Sequence, residues 1–559
     1  MLNRIFGPDN QMKTLKTNIF ALFVIAAMSM QLKAQVVHAT EKVLLSCDRT
    51  LFLAGETIAF EAGVQASRHD ALPRVLYVEL LDASAKQLKG QKIRLDKLHA
   101  EGSLPIPADL VSGYYFLRAY TRWMRNSGPS TYAWKLLKIV NPRSSNVWEG
   151  TSDFTAKDVA TTTGFNILLA DSLFSPRSKV EFQMLTAQDL AGSIAGVSLS
   201  VVPEAALGTD FWQLDLPAAK ADSFYFYPET RGISLSGTLT DSLGMAVGSE
   251  QVYLTVVDQD RNFMSRITDS KGRFHFVLPD ADGSRELFVC AGHTLHGDRK
   301  LLIDNDFCKA PVQLPSYRFQ LSPEEETLVL QMHNNKVLQQ KFFPADSLKK
   351  VLPEQSFTPF YGTPTHVLKL DDYVQLPVLE EYFNELPSMV KVRKADGKRF
   401  FRVIGTNAAM AVFKPLVLVD LVAIDDPEKV LSMSPKQLDR IEVVNVPYTK
   451  GDITYGGIVS LITKKGDFGA IDLPSSGLFL TYGFYDTTAY NIAQQAAAVF
   501  MPDVRNTLGW WPATAADSGL SKKFSFYAGD TQTHYVVAAK AVLNDGTMLF
   551  AFKRFKVGK

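Results

Sequence analysis

Short apolar and aromatic runs, each bounded by turn-forming residues, recur along this chain and constrain its fold more than any other feature. In one such run, "SGYYFLRAY" at residues 112–120, Tyr115, Leu117 and Ala119 occupy every second position. Alternation with a period of two is typical of a β-strand. Many short strands separated by Gly, Pro, Asp and Asn turns predict a mainly β protein with tandem immunoglobulin-like β-sandwich domains.

Changes in this pattern divide the 559 residues into predicted segments. Near the C-terminus, helix-like spacing around Val378–Leu386 precedes the apolar strand "PLVLVDLVAI", which indicates an α+β domain rather than another sandwich. The predicted segments are a signal peptide at 1–34, a first β-sandwich at 35–142, a second at 150–228, a third at 229–310, a transition segment at 311–360, the α+β domain at 361–469 and a β-rich segment at 470–559.

The N-terminal region has the pattern of a secretory signal peptide. A basic start is followed by an apolar run at 19–30 and by the small residue Ala34 before Gln35. The run is shorter than the roughly 20 apolar residues of a membrane-spanning helix, and no Cys directly follows it as a lipid acceptor. We therefore expect cleavage near Ala34 and an extracytoplasmic protein, in the periplasm or at the cell surface.

Charge and cysteine content exclude two classes of protein. Lys and Arg total 59 against 58 Asp and Glu, so the chain lacks the basic excess of a nucleic-acid-binding protein. Cys47, Cys290 and Cys308 are too few for a disulfide framework and too scattered for a zinc site. Pairing of Cys290 with Cys308 and three unpaired thiols are both compatible with the sequence.

Several motifs carry resemblances to known families. The stretch "DRTLFLAGE" at Asp48–Glu56 resembles the macroglobulin-like domain of bacterial and animal macroglobulins, and the C-terminal segment resembles a macroglobulin-type set of strands. The run Ser112–Asn126 is similar to a family of secreted, multidomain Bacteroidota proteins. The stretch "TDSKGRFHF" at Thr268–Phe276 resembles the turn of a carboxypeptidase regulatory-like domain, which is a small sandwich.

The last of these motifs predicts a specific turn. Asp269 and Gly272 are residues that tight turns favour, and Phe274, Phe276 and Leu278 would follow on one face of a strand. We therefore expect Asp269–Gly272 to form a hairpin turn, with a positive φ at Gly272.

The stretch Arg440–Gly466, "RIEVVNVPYTKGDITYGGIVSLITKKG", resembles the end of the plug domain that gates TonB-dependent receptors. In those receptors the plug lies inside a barrel of about 22 strands. The smallest membrane barrels have about eight strands, each of about 9–11 residues. Only 90 residues follow Gly469. We therefore expect a plug-like domain with no membrane barrel in this chain.

Five residues of this stretch are candidates for docking a partner: Tyr448, Gly451, Tyr455, Gly456 and Gly457. The glycine pair permits close approach of another backbone, and the alternation after it predicts a strand from Ile458. We expect a loop and the start of a strand here, without catalytic chemistry.

The sequence offers no catalytic, cofactor-binding or metal-binding residues, so we expect a protein that is not an enzyme. The nine His are scattered, no Gly-x-Ser-x-Gly motif is present, and no phosphate-binding Gly-rich loop precedes a helix. Some macroglobulins carry a reactive Cys–Gln thioester, and none of the three Cys has that sequence context. No small-molecule substrate is indicated.

The resemblances imply a location at the outer membrane of a Bacteroidota cell. Because the sequence also has no recognisable catalytic, cofactor-binding or metal-binding motif, these resemblances favour a non-enzymatic cell-envelope scaffold or docking protein associated with an outer-membrane transport or assembly complex. Its partner would be an outer-membrane barrel protein. The alternative is a macroglobulin-like protease-binding or defence protein without a thioester, for which Pro311–Pro353 would supply the exposed bait segment.

Overall fold

The computed structural model describes residues 40–558 apart from 68–71, 155–159, 209–213, 215, 218–224, 258–261, 293–297, 343–358, 387–388, 487–500 and 515–520. The predicted signal peptide lies outside the described residues. The described chain is mainly β and forms packed sandwiches together with one α+β domain, which confirms the predicted fold class. None of its helices combines the length and the apolar character needed to cross a membrane.

The first sandwich is built from β1 (Glu41–Cys47), β2 (Leu51–Leu53), β3 (Thr57–Ala66), β4 (Val75–Leu81), β5 (Gln87–Arg94), β6 (His99–Pro105), β7 (Gly113–Tyr120) and β8 (Ala133–Val140). Its sheets have the strand orders β1-β3-β6 and β2-β8-β7-β4-β5. The alternating run at 112–120 forms β7, which pairs with β4 on one side and with β8 on the other. Every residue of β7 is buried, because the chain around Cys308 and Tyr317 packs against it as well.

The third sandwich contains β13 (Ser234–Asp241), β14 (Gln251–Val256), β15 (Asn262–Ile267), β16 (Arg273–Val277), β17 (Ser284–Ala291), β18 (Arg299–Ile303) and the distant β28 (Leu478–Gly483). Its sheets have the orders β16-β13-β18 and β15-β14-β17-β28. On β14, Val252 and Leu254 belong to a core shared with the first sandwich, whereas Tyr253 packs against the α+β domain. The third sandwich therefore lies between the first sandwich and the α+β domain.

The turn at Asp269–Gly272 forms as expected in one respect and differs in another. Gly272 has φ +69°, and its N–H donates to Asp269 O at 2.9 Å. The flanking strands β15 and β16 are not paired with each other, since β15 pairs with β14 and β16 with β13. The prediction of a hairpin was therefore wrong: the turn carries the chain from one sheet of the sandwich to the other.

We expect Gly272→Val to lower the free energy of unfolding by about 1 kcal/mol or more, because a β-branched residue resists positive φ. Space adds to the cost, since a Cβ at this position would lie 2.6 Å from Leu239 O. Urea denaturation of the full chain measures the effect. Lys271→Val is the matched control, because Lys271 is exposed in the same turn without a positive φ. Equal denaturation midpoints for the two variants would contradict the prediction.

A sandwich that we call the split sandwich is assembled from two distant parts of the chain. Its strands are β9 (Phe165–Leu169), β10 (Leu173–Phe174), β11 (Lys179–Thr186), β12 (Ile194–Pro203), β29 (Gly509–Thr514), β30 (Ser521–Tyr527), β31 (His534–Leu543) and β32 (Met548–Val557), with the short helix α1 (Gln188–Ala191). The sheets have the orders β10-β32-β31-β12-β29 and β30-β11-β9.

This pairing corrects the expectation that residues 150–228 hold a core of their own. Strand β12 pairs with β29 on one side and with β31 on the other, and β11 pairs with β30. Val201 of the early segment and Val537 of the late segment are fully buried in the same core. Neither segment alone has enough strands to cover its apolar face, so the two form one domain.

Helix α2 (Pro323–Phe342) occupies the transition segment. Ser322 caps it by accepting from Glu325 N–H at 3.2 Å, while the Glu325 carboxylate accepts from Ser322 N–H at 2.8 Å. Leu328 and Met332 pack against the first sandwich. The Asn335 side chain bonds to Asn506 and Thr531, so the helix joins the first sandwich to the split sandwich.

The α+β domain has a central sheet in the order β19-β24-β27-β22-β23, made of β19 (His366–Lys369), β22 (Leu416–Val419), β23 (Val422–Ala423), β24 (Leu438–Val444) and β27 (Ile458–Thr463). Two hairpins, β20 (Val390–Ala395) with β21 (Lys398–Val403) and β25 (Tyr448–Lys450) with β26 (Ile453–Tyr455), flank it together with helices α3 (Leu379–Glu385) and α4 (Pro427–Leu431). The 3-10 turns in the described part of the chain are Trp123–Asn126, Pro129–Thr131, Glu204–Ala206, Leu370–Asp372, Ala408–Ala411, Pro435–Gln437 and Phe468–Ala470.

The three cysteines form no disulfide bond with one another. Cys290 lies in the core between the third sandwich and the α+β domain, whereas Cys308 lies in the core of the first sandwich, where Tyr132 OH donates to its Sγ at 3.3 Å. Burial raises the pKa of the Cys290 thiol above its ordinary value. Of the two arrangements compatible with the sequence, the structure has the one without a Cys290–Cys308 disulfide.

Candidate docking site

The stretch that suggested a docking role forms a small hairpin and the strand that follows it. Tyr448 on β25 faces Tyr455 on β26, and Gly451, with φ +59°, lies in the turn between them. The predicted loop and the strand from Ile458 are both present. Tyr455 is buried, Tyr448 is half-buried and Gly451 is exposed.

The hairpin is seated on the third sandwich. Ser265 Oγ on β15 donates to Lys450 O at 2.6 Å, and Arg266 lies 3.6 Å from Asp452. A Cβ on Gly451 would lie only 2.0 Å from Ser265 O, so the tip of the hairpin fits because it has no side chain. This side of the hairpin is occupied within the molecule.

The glycine pair allows three backbone segments to meet. A Cβ on Gly456 would lie 2.2 Å from Phe413 O, and one on Gly457, which has φ +95°, would lie 2.7 Å from Val444 O. Gly456 N–H donates to Lys414 O at 2.9 Å, which ties the segment before β22 to the start of β27. Close backbone approach is therefore the role that the geometry gives this pair.

Around the glycine pair lies a group of exposed apolar side chains that we call the apolar patch. Its members and their exposed fractions are Ile404 at 45%, Val412 at 76%, Phe413 at 40% and Val446 at 52%. A Cβ on Gly405 would lie 2.4 Å from Asn445 O, which shows how closely the ends of β21 and β24 approach here. Exposed apolar groups gathered at one place are typical of an interaction surface.

Two larger cavities lie between domains. One, of about 240 Å³ between the third sandwich and the α+β domain, is lined by Arg299, Lys429 and the carboxylates of Asp425, Asp426 and Asp472 among others. Within the described residues, no group of three or more His, Cys, Asp or Glu is arranged to hold a metal ion. The cavity thus brings charges of both signs together between the two domains.

The other cavity, of about 1100 Å³, lies where helix α2, the first sandwich and the split sandwich meet. Four of its charged side chains form two ion pairs: Lys138 Nζ lies 2.7 Å from the Glu325 carboxylate, and Arg554 pairs with Glu204. Apolar groups such as Phe552 and Leu328 line the rest. In each of these two pairs the opposite charges offset one another.

A buried amine lies at the junction of the first sandwich and the split sandwich. Lys540 Nζ donates to Leu45 O at 3.0 Å and to Ser46 Oγ at 2.9 Å. Burial, reinforced by the charge of Lys135, lowers the pKa of Lys540 to about 7, and burial raises the pKa of the neighbouring Cys47 thiol to about 12. A thiol held protonated is a poor nucleophile, and the adjoining cavity of about 20 Å³ has no room for a substrate.

Neither the family models nor the curated proteins include a match to this chain. Among solved structures, it is similar to Escherichia coli alpha-2-macroglobulin activated by porcine elastase, with 11% identity and a TM-score of 0.21 over 93% of this chain and 44% of that chain. Salmonella alpha-2-macroglobulin reacted with methylamine has 11% identity and a TM-score of 0.22 over 92% and 39%. Dimeric latent PorU from Porphyromonas gingivalis has 11% identity and a TM-score of 0.16 over 50% and 34%.

The chain thus spans less than half the length of these alpha-2-macroglobulins. They are of the macroglobulin kind that the Asp48–Glu56 stretch resembles. The fold class rests on the strand pairings described above.

Proposed function

We propose that the protein is a non-enzymatic scaffold of the cell envelope that docks onto an outer-membrane transport or assembly complex of a Bacteroidota cell. The apolar patch is the observation that carries this proposal. An exposed cluster of this kind is costly in water and gains free energy when a partner covers it. The plug-like resemblance of Arg440–Gly466 supports an outer-membrane barrel protein as that partner.

The way in which the domains are joined also supports a scaffold. Helix α2 contacts two sandwiches, and the 450–452 tip of the α+β domain is seated on the third sandwich. A patch held on such a connected framework is presented in a fixed orientation, which lowers the entropic cost of association.

The protease-binding alternative needs an exposed bait segment at Pro311–Pro353, and the structure of that segment does not favour this role. Residues 323–342, which form most of the described part of that segment, are a capped helix with buried Leu328 and Met332. Proteases cut exposed, extended backbone, so a helix packed against a sandwich is a poor bait. A scaffold role requires no such cleavage.

We expect the double variant Val412→Glu/Val446→Glu to reduce co-purification of a barrel protein from detergent-solubilised outer membranes by about tenfold or more. Two charges in the centre of an apolar contact would be desolvated without partners. Point variants are preferable to deletion of Arg440–Gly469, because β24 and β27 are interior strands of the central sheet.

The matched control is Leu243→Glu/Met245→Glu, which changes two exposed apolar residues of the third sandwich, 87% and 67% exposed. Thermal unfolding of both double variants should resemble that of the unmodified protein, because all four positions are exposed. Equal recovery of the barrel protein with both variants, or recovery of a protease instead, would refute the docking role.

A further inference from the structure

The hairpin β20–β21 has an inward and an outward face. Val390, Phe401 and Val403 are buried in the core of the α+β domain. Because side chains alternate along a strand, the residues between them point away from that core. The outward face is therefore defined by the pairs Lys391↔Arg402 and Arg393↔Phe400 and by Lys398 at the next position.

This outward face, which we call the basic face, carries four cations and an exposed aromatic ring. Arg393, Lys398 and Arg402 are exposed, Lys391 is half-buried, and Phe400 is 38% exposed. Within the described residues, none of the four cations takes part in an ion pair. The basic face thus presents positive charge that no ion pair within the described part of the chain neutralises.

Cross-strand placement makes this arrangement costly. Lys391 and Arg402 are directly opposite, where Cβ atoms are about 4.5–5.5 Å apart and like charges destabilise a sheet. On the opposite face of the hairpin the positive charge is neutralised, because Arg399 forms ion pairs with Glu380 and with Glu428. An external anion would offset the repulsion on the basic face.

We propose that the basic face binds the surface of a membrane that carries anionic phosphate headgroups. Lys391, Arg393, Lys398 and Arg402 would contact the phosphates, and Phe400 would enter the interface between headgroups and acyl chains. Each Lys or Arg near such a surface strengthens binding, and surface-bound amphipathic segments bury Trp, Phe or Leu at the boundary between headgroups and acyl chains. Charge complementarity combined with an exposed ring identifies this partner.

The position of the basic face beside the apolar patch also favours contact with a membrane surface. Ile404 of the apolar patch follows Arg402 at the next alternate position, so the two surfaces adjoin. A barrel protein is surrounded by lipid, and a chain that covers the barrel with the apolar patch would bring the basic face over the adjacent headgroups. The inference relies on the proposed function for this location only, because lipid binding itself needs no protein partner.

An acidic protein is the competing occupant, and the composition of the basic face disfavours it. The two Lys carry this distinction, because Lys is depleted from protein–protein interfaces whereas Arg and aromatic residues are enriched there. Lys and Arg clusters beside an exposed apolar residue are typical of peripheral contact with anionic lipid. Free phosphate shares the headgroup chemistry but gains nothing from Phe400.

The test uses the full chain, isolated after export, and vesicles of phosphatidylglycerol with phosphatidylcholine, compared with phosphatidylcholine alone. We expect sedimentation with the anionic vesicles only, reduced at high salt because screening shortens the range of charge attraction. Lys391→Gln/Arg402→Gln should weaken this binding by about tenfold or more, and Phe400→Ala should weaken it severalfold. The control Lys553→Gln/Lys556→Gln removes two exposed cations of β32 and should leave binding unchanged.

Equal binding to both kinds of vesicle, or equal losses in the two Gln double variants, would overturn the inference. Displacement by inorganic phosphate at constant ionic strength would assign the face to free phosphate instead. Loss of the barrel protein from the Lys391→Gln/Arg402→Gln variant, with no vesicle binding by the unmodified chain, would assign it to an acidic protein. Failure of the vesicle assay while Val412→Glu/Val446→Glu still abolishes co-purification would refute lipid binding and leave the docking role intact.

Discussion

Replacing Arg122 by Met is expected to lower the free energy of unfolding by about 3–5 kcal/mol, as removal of one partner from a buried charge cluster does. Arg122 follows β7 of the first sandwich, and its guanidinium donates to Ser234 O at 3.1 Å and Ser236 Oγ at 2.7 Å on the third sandwich. The carboxylates of Glu229 and Asp306 lie 3.7 and 3.8 Å away. Without Arg122 these groups would lose their central cation.

The control for this prediction is Arg94→Met. Arg94 spans the same two sandwiches through Asp280 at 2.6 Å, but its side chain is 44% exposed, so its loss should cost about 1 kcal/mol or less. Urea unfolding followed by intrinsic fluorescence compares the two variants. A loss for Arg122→Met no larger than that for Arg94→Met would mean that the buried cluster does not hold the sandwiches together.

The unmodified protein should gain about 1–2 kcal/mol of stability between pH 7 and 8.5, and Lys540→Met should lose that gain. The pKa of Lys540 is lowered to about 7, foremost by burial, against 10.5 in the unfolded chain. Between these values the unfolded state binds a proton that the folded state does not, so stability rises with pH by up to about 1.4 kcal/mol per unit.

The window ends at pH 8.5 because the raised pKa of Cys47 gives the opposite slope above about 9, where the unfolded thiol ionises and the folded one does not. Urea unfolding at a series of pH values within the window measures the slope. Lys553→Met, which removes an exposed amine from the neighbouring strand, is expected to keep the slope of the unmodified protein. The same slope in Lys540→Met would show that this amine keeps an ordinary pKa.

Local patterns predicted the local structure well. The alternation around Leu117 became β7, the alternation after Gly457 became β27, and Gly272 has the positive φ that its turn needs. The same patterns did not predict which strands pair. Strand β12 and strand β31 each have the periodicity of a strand, but nothing local in either indicates a partner more than 300 residues away.

Helix α2 was missed although a signal for it exists. Ser322 followed by Pro323 and Glu325 matches a capping box with Pro in the first turn. Apolar residues on both faces, with Leu328 buried and Leu330 exposed, obscured the helical period. The capping residues were therefore the better predictor of this helix.

The candidate docking site was predicted only in part. Resemblance led to Gly456 and Gly457, and the structure places the apolar patch around that pair. The sequence does not show that the patch residues are exposed. Val412 and Phe413 are the same residue types that fill the core, and only the tertiary fold leaves them exposed. Tyr455, which a docking role would need exposed, is buried.

The split sandwich has a consequence for the order in which the chain acquires its structure during synthesis. Strands β11 and β12 emerge early, but their partners β29, β30 and β31 emerge only after more than 300 further residues. Until then the edges that these late partners cover stay open, and unpaired edges favour aggregation. A chain cut short within the α+β domain would leave these edges open, and we expect such a fragment to aggregate where the whole chain does not.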